Sequence, residues 1–244
     1  MGLEQVGVVF LGALAGGIVN GLTGFGAGIT ALGLWLYVIS PSVASSLAII
    51  CATASQLQTF PMIRRTIQWE RALPLIVPGI IGVPIGTLLL AQIEPKYFKI
   101  GIGCFLIAYS AYVLTRQREM KSVWGGRIAD GLVGFGGGVL GGLAGLSGVL
   151  PVVWTDFRGW TKEQRRGVVQ AFNLSILTIA LASHAVSGLL TRQVALVTVV
   201  ALPATIAGAW LGYLIYRRIT DRSYQRAVMV LLFLSGVVLI WTSW

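Results

Sequence analysis

The sequence predicts an all-α polytopic membrane protein made of two inverted repeats, each with one glycine-rich broken (re-entrant) helical hairpin and three transmembrane spans. Three observations predict this fold. Apolar stretches of membrane length recur along the chain, two halves share glycine motifs in the same order, and basic residues cluster on one side only if some stretches turn back. The 244 residues are 56% hydrophobic and 11% charged, whereas a soluble domain carries far more charge on its surface.

Eight apolar stretches are candidate membrane segments, since about 20 apolar residues span a hydrocarbon core about 30 Å thick. They are 6–39, 42–63, 72–92, 100–115, 128–155, 167–189, 194–216 and 227–243. The longest polar stretch, from about 116 to 127, leaves no room for a separate soluble domain. The start, MGLEQVG, lacks the basic residues of a secretory signal, so no cleavage is expected.

An internal repeat divides the chain into 1–120 and 121–244. GGIVNGLTGFGAG (16–28) aligns with GGVLGGLAGLSGV (137–149) at a constant offset of 121 residues. Two later pairs follow at an offset of 126: GVPIG (82–86) with GAWLG (208–212), and IEPKYFK (93–99) with ITDRSYQ (219–225). The five extra residues of the second half are expected in DFRGWTKEQRR (156–166).

The distribution of Lys and Arg indicates how the stretches cross. If all eight cross, the 18 basic residues divide 8 against 10 between the sides, which is no bias. If 128–155 turns back at its glycine-rich middle, one side collects 15 of the 18 and the other keeps only Lys96, Lys99 and Arg192. Short cytoplasmic loops are enriched in Lys and Arg, which favours the second arrangement. The loops on the basic side are 64–71, 116–127, 158–166 and 217–226.

By the internal repeat, the stretch 6–39 is also expected to turn back. The tail before it has no Lys or Arg, so the charge distribution does not test this first hairpin. Repeat 1 then holds the hairpin 6–39 with three spans, and repeat 2 the hairpin 128–155 with three spans. Because three is odd, the repeats are inverted, with both termini outside and the basic loops cytoplasmic. The first limb of each hairpin, that is, the helix before the break, is expected to have about fifteen residues and to rise roughly 22 Å. This length passes the midplane but is marginal for a full crossing.

The two glycine-rich breaks predict an anion site. Non-helical backbone persists at membrane depth only where protein buries it or where it lines a watery cavity, and many secondary transporters bind substrate between broken helices near the midplane. The N–H groups that begin the second limb carry the positive end of a helix dipole. Glycine lets a ligand approach them, so two such ends form an anion site without a buried Lys or Arg.

The candidate substrate-binding residues lie at these breaks and on the following spans. On the hairpins they are Asn20, Gly21, Thr23, Gly24, Phe25, Gly26, Gly145, Ser147 and Gly148; on the spans they are Ser45, Ser46, Gln56, Gln170 and Asn173. A structural role is the alternative for the serines, which often bond to their own helix. Phe25, Trp154 and His184 are candidates for packing or gating.

No carboxylate is expected at membrane depth. The eight acidic residues lie in loops or near segment ends: Glu4, Glu70, Glu94, Glu119, Asp130, Asp156, Glu163 and Asp221. A proton or sodium relay usually places an acid inside the membrane, so the coupling ion stays open. No cofactor and no metal ion are expected.

At its hairpins the sequence resembles the TauE/SafE family of membrane permeases. Both hairpin motifs carry the resemblance, together with ASS at 44–46, where members often have a small-Thr-Ser run, and with GVPIG and GAWLG. It covers essentially the whole chain. The resemblance implies export of a small sulfur-containing oxyanion, such as sulfite, sulfoacetate or another sulfonate.

Two functions of other classes fit parts of the sequence. GLSG (145–148) is the Gly-x-Ser-Gly pattern of rhomboid intramembrane proteases, with His184 as a dyad partner for Ser147. The repeat explains this motif without catalysis, because GFGA (24–27) has Gly26 at the equivalent position. Paired re-entrant hairpins also build selective pores, so an anion-selective channel is the stronger alternative.

The sequence therefore predicts a secondary transporter, and not an enzyme, that exports a small anion across a bacterial-type cytoplasmic (inner) membrane. Its partners are the anion and the lipid bilayer, and the oligomeric state is left open. The net charge of +10 does not indicate a nucleic-acid partner, because the basic residues lie in short loops between apolar stretches.

Overall fold

The computed structural model describes residues 2–90, 92, 94–115, 126–218 and 221–241, and all regular elements in these ranges are helical. The helices are α1 (Leu3–Thr23), α2 (Ala27–Trp35), α3 (Pro41–Ile63), α4 (Trp69–Leu90), α5 (Pro95–Thr115), α6 (Gly126–Ala144), α7 (Val149–Phe157), α8 (Lys162–Val186), α9 (Arg192–Tyr216) and α10 (Asp221–Trp241). A short 3-10 helix at Arg64–Thr66 follows α3. The expected boundary between the repeats, at 120 and 121, lies outside the described residues.

Five helices in the described part of the chain are long and apolar enough to cross a membrane. They are α1, α3, α4, α8 and α9. The chain is accordingly an all-helical, multi-pass membrane protein.

The first helix pair, α1 and α2, is broken at the first glycine motif. Gly24 and Gly26 have φ of 79° and 87°, in the left-handed region that glycine adopts without steric cost. The Gly24 N–H donates to the Asn20 carbonyl at 2.7 Å and ends α1. α2 then runs back along α1, where the Trp35 indole Nε1 donates to the Val9 carbonyl at 3.0 Å.

The second helix pair, α6 and α7, is broken at the second glycine motif. Gly145 has φ of 70°, and its N–H donates to the Gly141 carbonyl at 2.8 Å. α7 runs back along α6, where the Trp154 indole Nε1 donates to Asp130 Oδ1 at 2.6 Å. Both breaks therefore fall where the glycine motifs predict them.

The first limbs are longer than the fifteen residues expected from the sequence. α1 has 21 residues and α6 has 19, which rise about 31 and 28 Å. The apolar stretches understate the helices because polar residues occur in their first turns. Glu4 lies in the first turn of α1, where a helix dipole favours an acidic side chain, and Arg127 lies in the first turn of α6. α2 and α7 have only nine residues each.

α1 packs in close contact along α9, and glycines permit the approach. A methyl group on any of these glycines would overlap a backbone carbonyl of the other helix. The overlaps pair Gly17 with Thr205, Gly21 with Ala209, Gly208 with Leu14, and Gly212 with Ile18. Because the residue numbers rise together, the two helices run parallel.

α6 packs along α4 in the same manner. The corresponding overlaps pair Gly138 with Gly79, Gly142 with Val83, Gly82 with Phe135, and Gly86 with Val139. Each of these pairs corresponds to a pair of the first set. Residues of α6 correspond to those of α1 by the offset of 121, and residues of α4 correspond to those of α9 by the offset of 126. These two helices also run parallel.

α3 and α8 pack antiparallel between these two units. Gln170 Nε2 donates to Thr59 Oγ1 at 2.6 Å, and Ser46 Oγ lies 3.0 Å from His184 Nδ1. Residues later in α3 thus contact residues earlier in α8, as expected for antiparallel helices. The middle of both helices faces the two breaks, and this places the site described next.

Candidate functional site

A small central cavity lies where the two helix breaks meet the middle of α3 and α8. Its volume is about 10 Å³, enough for roughly one water molecule. It is lined by Asn20, Phe25, Gly26, Ala27, Gly28, Ile29, Ala52, Gln56, Gly145, Leu146, Ser147, Gly148, Val149, Asn173 and Leu177. None of these described lining residues is charged. Because the cavity is so small, an oxyanion fits only if the two breaks move apart.

Two helix N-termini point into the central cavity. Gly26 precedes α2 and Gly148 precedes α7, and neither receives a capping hydrogen bond from a described side chain. The first N–H groups of a helix have no partner within the helix and carry the positive end of its dipole. At α7 the first of them, that of Val149, donates to the Leu146 carbonyl at 3.3 Å. Residues Ala27, Gly28 and Ile29 of the first turn of α2 line the cavity. This arrangement favours a negatively charged ligand.

Asn20 and Gln56 supply amide groups from one side of the cavity. The Asn20 side chain, 1% exposed, donates from Nδ2 to Ser55 Oγ at 2.6 Å and accepts from Gln56 Nε2 at 3.4 Å. Gln56 Nε2 also donates to the Gly24 carbonyl at 2.8 Å, while its Oε1 is buried and has no partner among the described residues. A ligand or a water with a donor group can satisfy that oxygen.

Asn173 and Ser147 supply polar groups from the opposite side. Ser147 Oγ donates to Asn173 Oδ1 at 2.8 Å, and Asn173 Nδ2 donates to the Gly24 carbonyl at 3.2 Å. Gly24 is therefore held by both α3 and α8, through Gln56 and Asn173. Eight of the candidate residues contribute to the lining: Asn20, Phe25, Gly26, Gln56, Gly145, Ser147, Gly148 and Asn173.

The cavity lining is nearly symmetric under the 121-residue offset. Six pairs of lining residues correspond: Phe25 with Leu146, Gly26 with Ser147, Ala27 with Gly148, Gly28 with Val149, Ala52 with Asn173, and Gln56 with Leu177. On α3 and α8 a polar residue in one half corresponds to an apolar residue in the other, so each of these two helices provides one amide, at different positions. Asn20 of α1 provides a further amide without a counterpart in the lining.

The remaining candidates lie near the cavity but do not line it. Gly21 packs against Ala209 of α9. The Thr23 hydroxyl donates to the Val19 carbonyl at 2.8 Å and accepts from the Phe25 N–H at 3.1 Å, which fixes the turn of the first break.

The two serine candidates and Gln170 join helices to one another. Ser45 Oγ donates to the Leu143 carbonyl at 2.7 Å, and Ser46 contacts His184. Gln170 joins α8 to α3, and its buried Oε1 has no partner in the described part of the chain.

Trp154 and His184, the gating candidates, lie away from the cavity lining. Trp154 joins the ends of α6 and α7 through Asp130. His184 is fully buried, and its Nε2 is 2.8 Å from the Gly142 carbonyl. That carbonyl can only accept, so Nε2 carries the proton, and Nδ1 lies beside Ser46 Oγ. The Ser147–His184 dyad, the distant alternative from the sequence, is not formed in this structure: Ser147 donates to Asn173 Oδ1, and His184 contacts Ser46 and the Gly142 carbonyl.

Two kinds of residue at the site are not predicted from the sequence. Ala52, Leu177 and Ile29 line the cavity but are apolar, so no polar pattern marks them. Arg166 is 7% exposed and donates from Nη2 to the Gly21 carbonyl at 3.2 Å. It lies in a basic loop sequence that was used only to judge orientation, and its burial could not be read from that pattern.

Comparison with known proteins gives one match. The family model described as "Sulfite exporter TauE/SafE" matches residues 8–239, which is nearly the whole chain. No significant match was found among curated proteins or among solved structures.

Proposed function

Because the chain belongs to the TauE/SafE sulfite exporter family, we propose that it exports a small sulfur oxyanion, such as sulfite or an organosulfonate, by alternating access. The family is one of membrane transporters and not of enzymes. The cargo binds in the central cavity between the two helix breaks. The membrane is the cytoplasmic membrane of a bacterial-type cell.

The convergence of two helix N-termini on one uncharged cavity carries this proposal. The N–H groups of α2 and α7 attract negative charge. Asn20 and Asn173 line the cavity, and each side-chain amide nitrogen has one acceptor among the described residues, Ser55 Oγ and the Gly24 carbonyl respectively, which leaves a second N–H for an oxygen of a compact oxyanion. The small volume favours sulfite or a short sulfonate over a bulky anion, since less separation of the breaks is needed.

Inverted repeats supply the alternating movement in this proposal. The helix contacts support the inversion. α6 runs parallel to α8, because methyl groups on Gly137 and Gly141 would meet Phe172 and Ile176 in rising order. The short connection 187–191 reverses the chain into α9, which runs parallel to α1. α1 and α6, the equivalent helices of the two halves, therefore run in opposite directions.

The cavity contacts also revise the position of the five extra residues. They were expected within 156–166, before α8. The pairs Ala52 with Asn173 and Gln56 with Leu177 keep the 121-residue offset within α8. The change to an offset of 126 therefore follows Leu177 and precedes the glycine contacts of α9.

In the proposed orientation both termini and Arg192 are outside, and the loops 64–71, 116–127, 158–166 and 217–226 are cytoplasmic. The two helix pairs enter and leave the membrane on one side as re-entrant hairpins. The cavity lies at mid-length of α3 and α8, which supports an anion site near the midplane. Export then loads cargo from the side of the basic loops.

Transport of ³⁵S-labelled sulfite by protein reconstituted in liposomes tests the function. We expect influx that saturates with sulfite concentration and is accelerated by unlabelled sulfite trapped inside the vesicles, since a carrier exchanges bound cargo. Empty liposomes give the background. A flux that rises linearly without counterflow would indicate the anion-selective channel instead, and no flux above background would reject sulfite as cargo.

A further inference from the structure

Arg166 is a buried cation beside the first helix break. It lies in the second turn of α8 and is 7% exposed. Its guanidinium carbon is 3.7 Å from the centre of the Tyr216 ring, and its Nη2 donates to the Gly21 carbonyl at 3.2 Å. The side chain thus joins α8 to α1 and α9 at the end of the molecule that carries the loop 158–166.

The charge of Arg166 is not neutralised within the described residues. Its Nε and Nη1 are buried without a hydrogen-bond partner there, and no described acidic side chain pairs with it. The nearby Arg158 and Arg165 do have such partners, Asp130 and Asp156. Stacking on Tyr216 offsets part of the cost of burying a cation, but an unpaired buried charge remains expensive.

Arg166 begins a polar track that leads to the central cavity. Arg166, Gln170 and Asn173 are spaced by four and three residues, so they share one face of α8. Asn173 lines the cavity, and Gln170, which lies between it and Arg166 on this face, is fully buried. Gly24 leaves space along this face, because its missing Cβ would be 3.8 Å from Arg166 Cγ and 3.9 Å from Gln170 Oε1.

The track is charged at one end only. By the 121-residue offset the position equivalent to Arg166 is Ser45, which donates to the Leu143 carbonyl much as Arg166 donates to that of Gly21. The two positions therefore make the same kind of helix contact. Of these two described positions, only Arg166, on the side of the loop 158–166, carries a positive charge. An anion that approaches the cavity from that side meets this charge, whereas one that approaches past Ser45 does not.

We propose that Arg166 is an anion-docking site, at which a small oxyanion accepts hydrogen bonds from Nε and Nη1 before it passes along Gln170 and Asn173 into the central cavity. This inference rests on the proposed function for the identity of the cargo, and on the geometry for the charge of the ligand. In the proposed orientation the site faces the cytoplasm, where an exporter loads.

The test is the thermal stabilisation of the purified full chain by sulfite, sulfoacetate, taurine, sulfate and chloride. The variants are Arg166→Gln, Arg166→Lys and, as a matched control, Arg218→Gln. Arg218 is exposed at the end of α9, and its loss changes the net charge by the same amount. Stabilisation grows with ln(1 + [L]/Kd), so each variant's Kd follows from its concentration series.

We expect Arg166→Gln to raise the anion Kd about tenfold or more, as loss of charge-assisted hydrogen bonds does, and Arg218→Gln to stay within about twofold. Arg166→Lys keeps the charge but loses the planar donor set, so it should weaken binding by about fivefold. If Arg166→Gln does not fold, the lysine variant decides: a weaker shift supports docking, and an unchanged shift overturns it.

The panel separates this inference from the proposed function. Equal stabilisation of all variants by sulfite would overturn Arg166 as a docking site and leave the transport function intact. An Arg166-dependent shift with chloride alone would support docking but reject a sulfur oxyanion as cargo, and a shift with sulfate alone would support docking but reject sulfite and the sulfonates. Absence of any shift in the unmodified chain would overturn both.

Discussion

Gly21 and Gly24 lie three residues apart at the end of α1, yet glycine is required at each for a different reason. Gly24 has φ of 79°, and a Cβ there would meet nothing closer than 3.8 Å. Its requirement is therefore conformational. Gly21 is helical, and a methyl group would overlap the carbonyl of Ala209 in α9. Its requirement is therefore close helix packing.

Alanine and asparagine substitutions distinguish these two requirements. At position 24, Gly24→Ala should cost about 1–2 kcal/mol of stability, and Gly24→Asn should cost less, because Asn tolerates the left-handed region. At position 21 the order should reverse, since the larger Gly21→Asn side chain forces α1 and α9 further apart and overpacking costs about 1–3 kcal/mol. Unfolding midpoints of the four variants in one detergent measure this. The same order at both sites would contradict the assignment.

At the scale of elements, a tryptophan joins the two helices of each pair at the end away from the break. Trp35 donates to the carbonyl of Val9, and Trp154 donates to the side chain of Asp130. Val9 and Asp130 correspond by the 121-residue offset. Position 130 therefore holds a buried carboxylate, 6% exposed at its side chain, where the first pair uses only backbone.

Trp154→Phe should destabilise the protein by about 1.5–3 kcal/mol, the usual value of a hydrogen bond to a charged group, because the buried Asp130 loses its closest donor. Trp160→Phe is the matched control, since Trp160 stacks with Arg71 and its indole N–H has no hydrogen bond among the described contacts. It should cost under about 1 kcal/mol. The measurement is the free energy of unfolding in a detergent titrated with denaturant. Equal losses would show that ring volume, and not the Asp130 bond, matters.

Among the elements, the positions of the helix breaks were predicted from the sequence, whereas the lengths of the helices were not. Breaks were predicted at the two glycine motifs, and Gly24, Gly26 and Gly145 within them adopt left-handed backbone, which glycine adopts without steric cost. The lengths of the first limbs were wrong, because Glu4 and Arg127, outside the apolar stretches, belong to α1 and α6. Apolar content marks the buried part of a membrane helix and not its polar first turn.

For the whole molecule, only some of the candidate binding residues of the sequence lie at the central cavity. Asn20, Gln56, Ser147 and Asn173 line it, and their role in binding substrate stays a prediction. Ser45, Ser46 and His184 instead join helices, because helix rotation decides which face of a segment meets a cavity. Arg166 was assigned to a cytoplasmic loop, and only the packing of α8 against α1 and α9 reveals that it is buried.

The central claim is that an anion binds between the two helix breaks, and the dissociation constant of sulfite for Asn20→Ala tests it most directly. Titration calorimetry compares the unmodified chain, Asn20→Ala and Thr53→Ala. The control residue is buried on α3, bonds to the Ile49 carbonyl at 2.7 Å, and does not line the cavity. We predict that Asn20→Ala weakens sulfite binding about tenfold or more, while Thr53→Ala stays within about twofold. Unchanged sulfite affinity in Asn20→Ala would contradict the assignment of the cavity as the binding site.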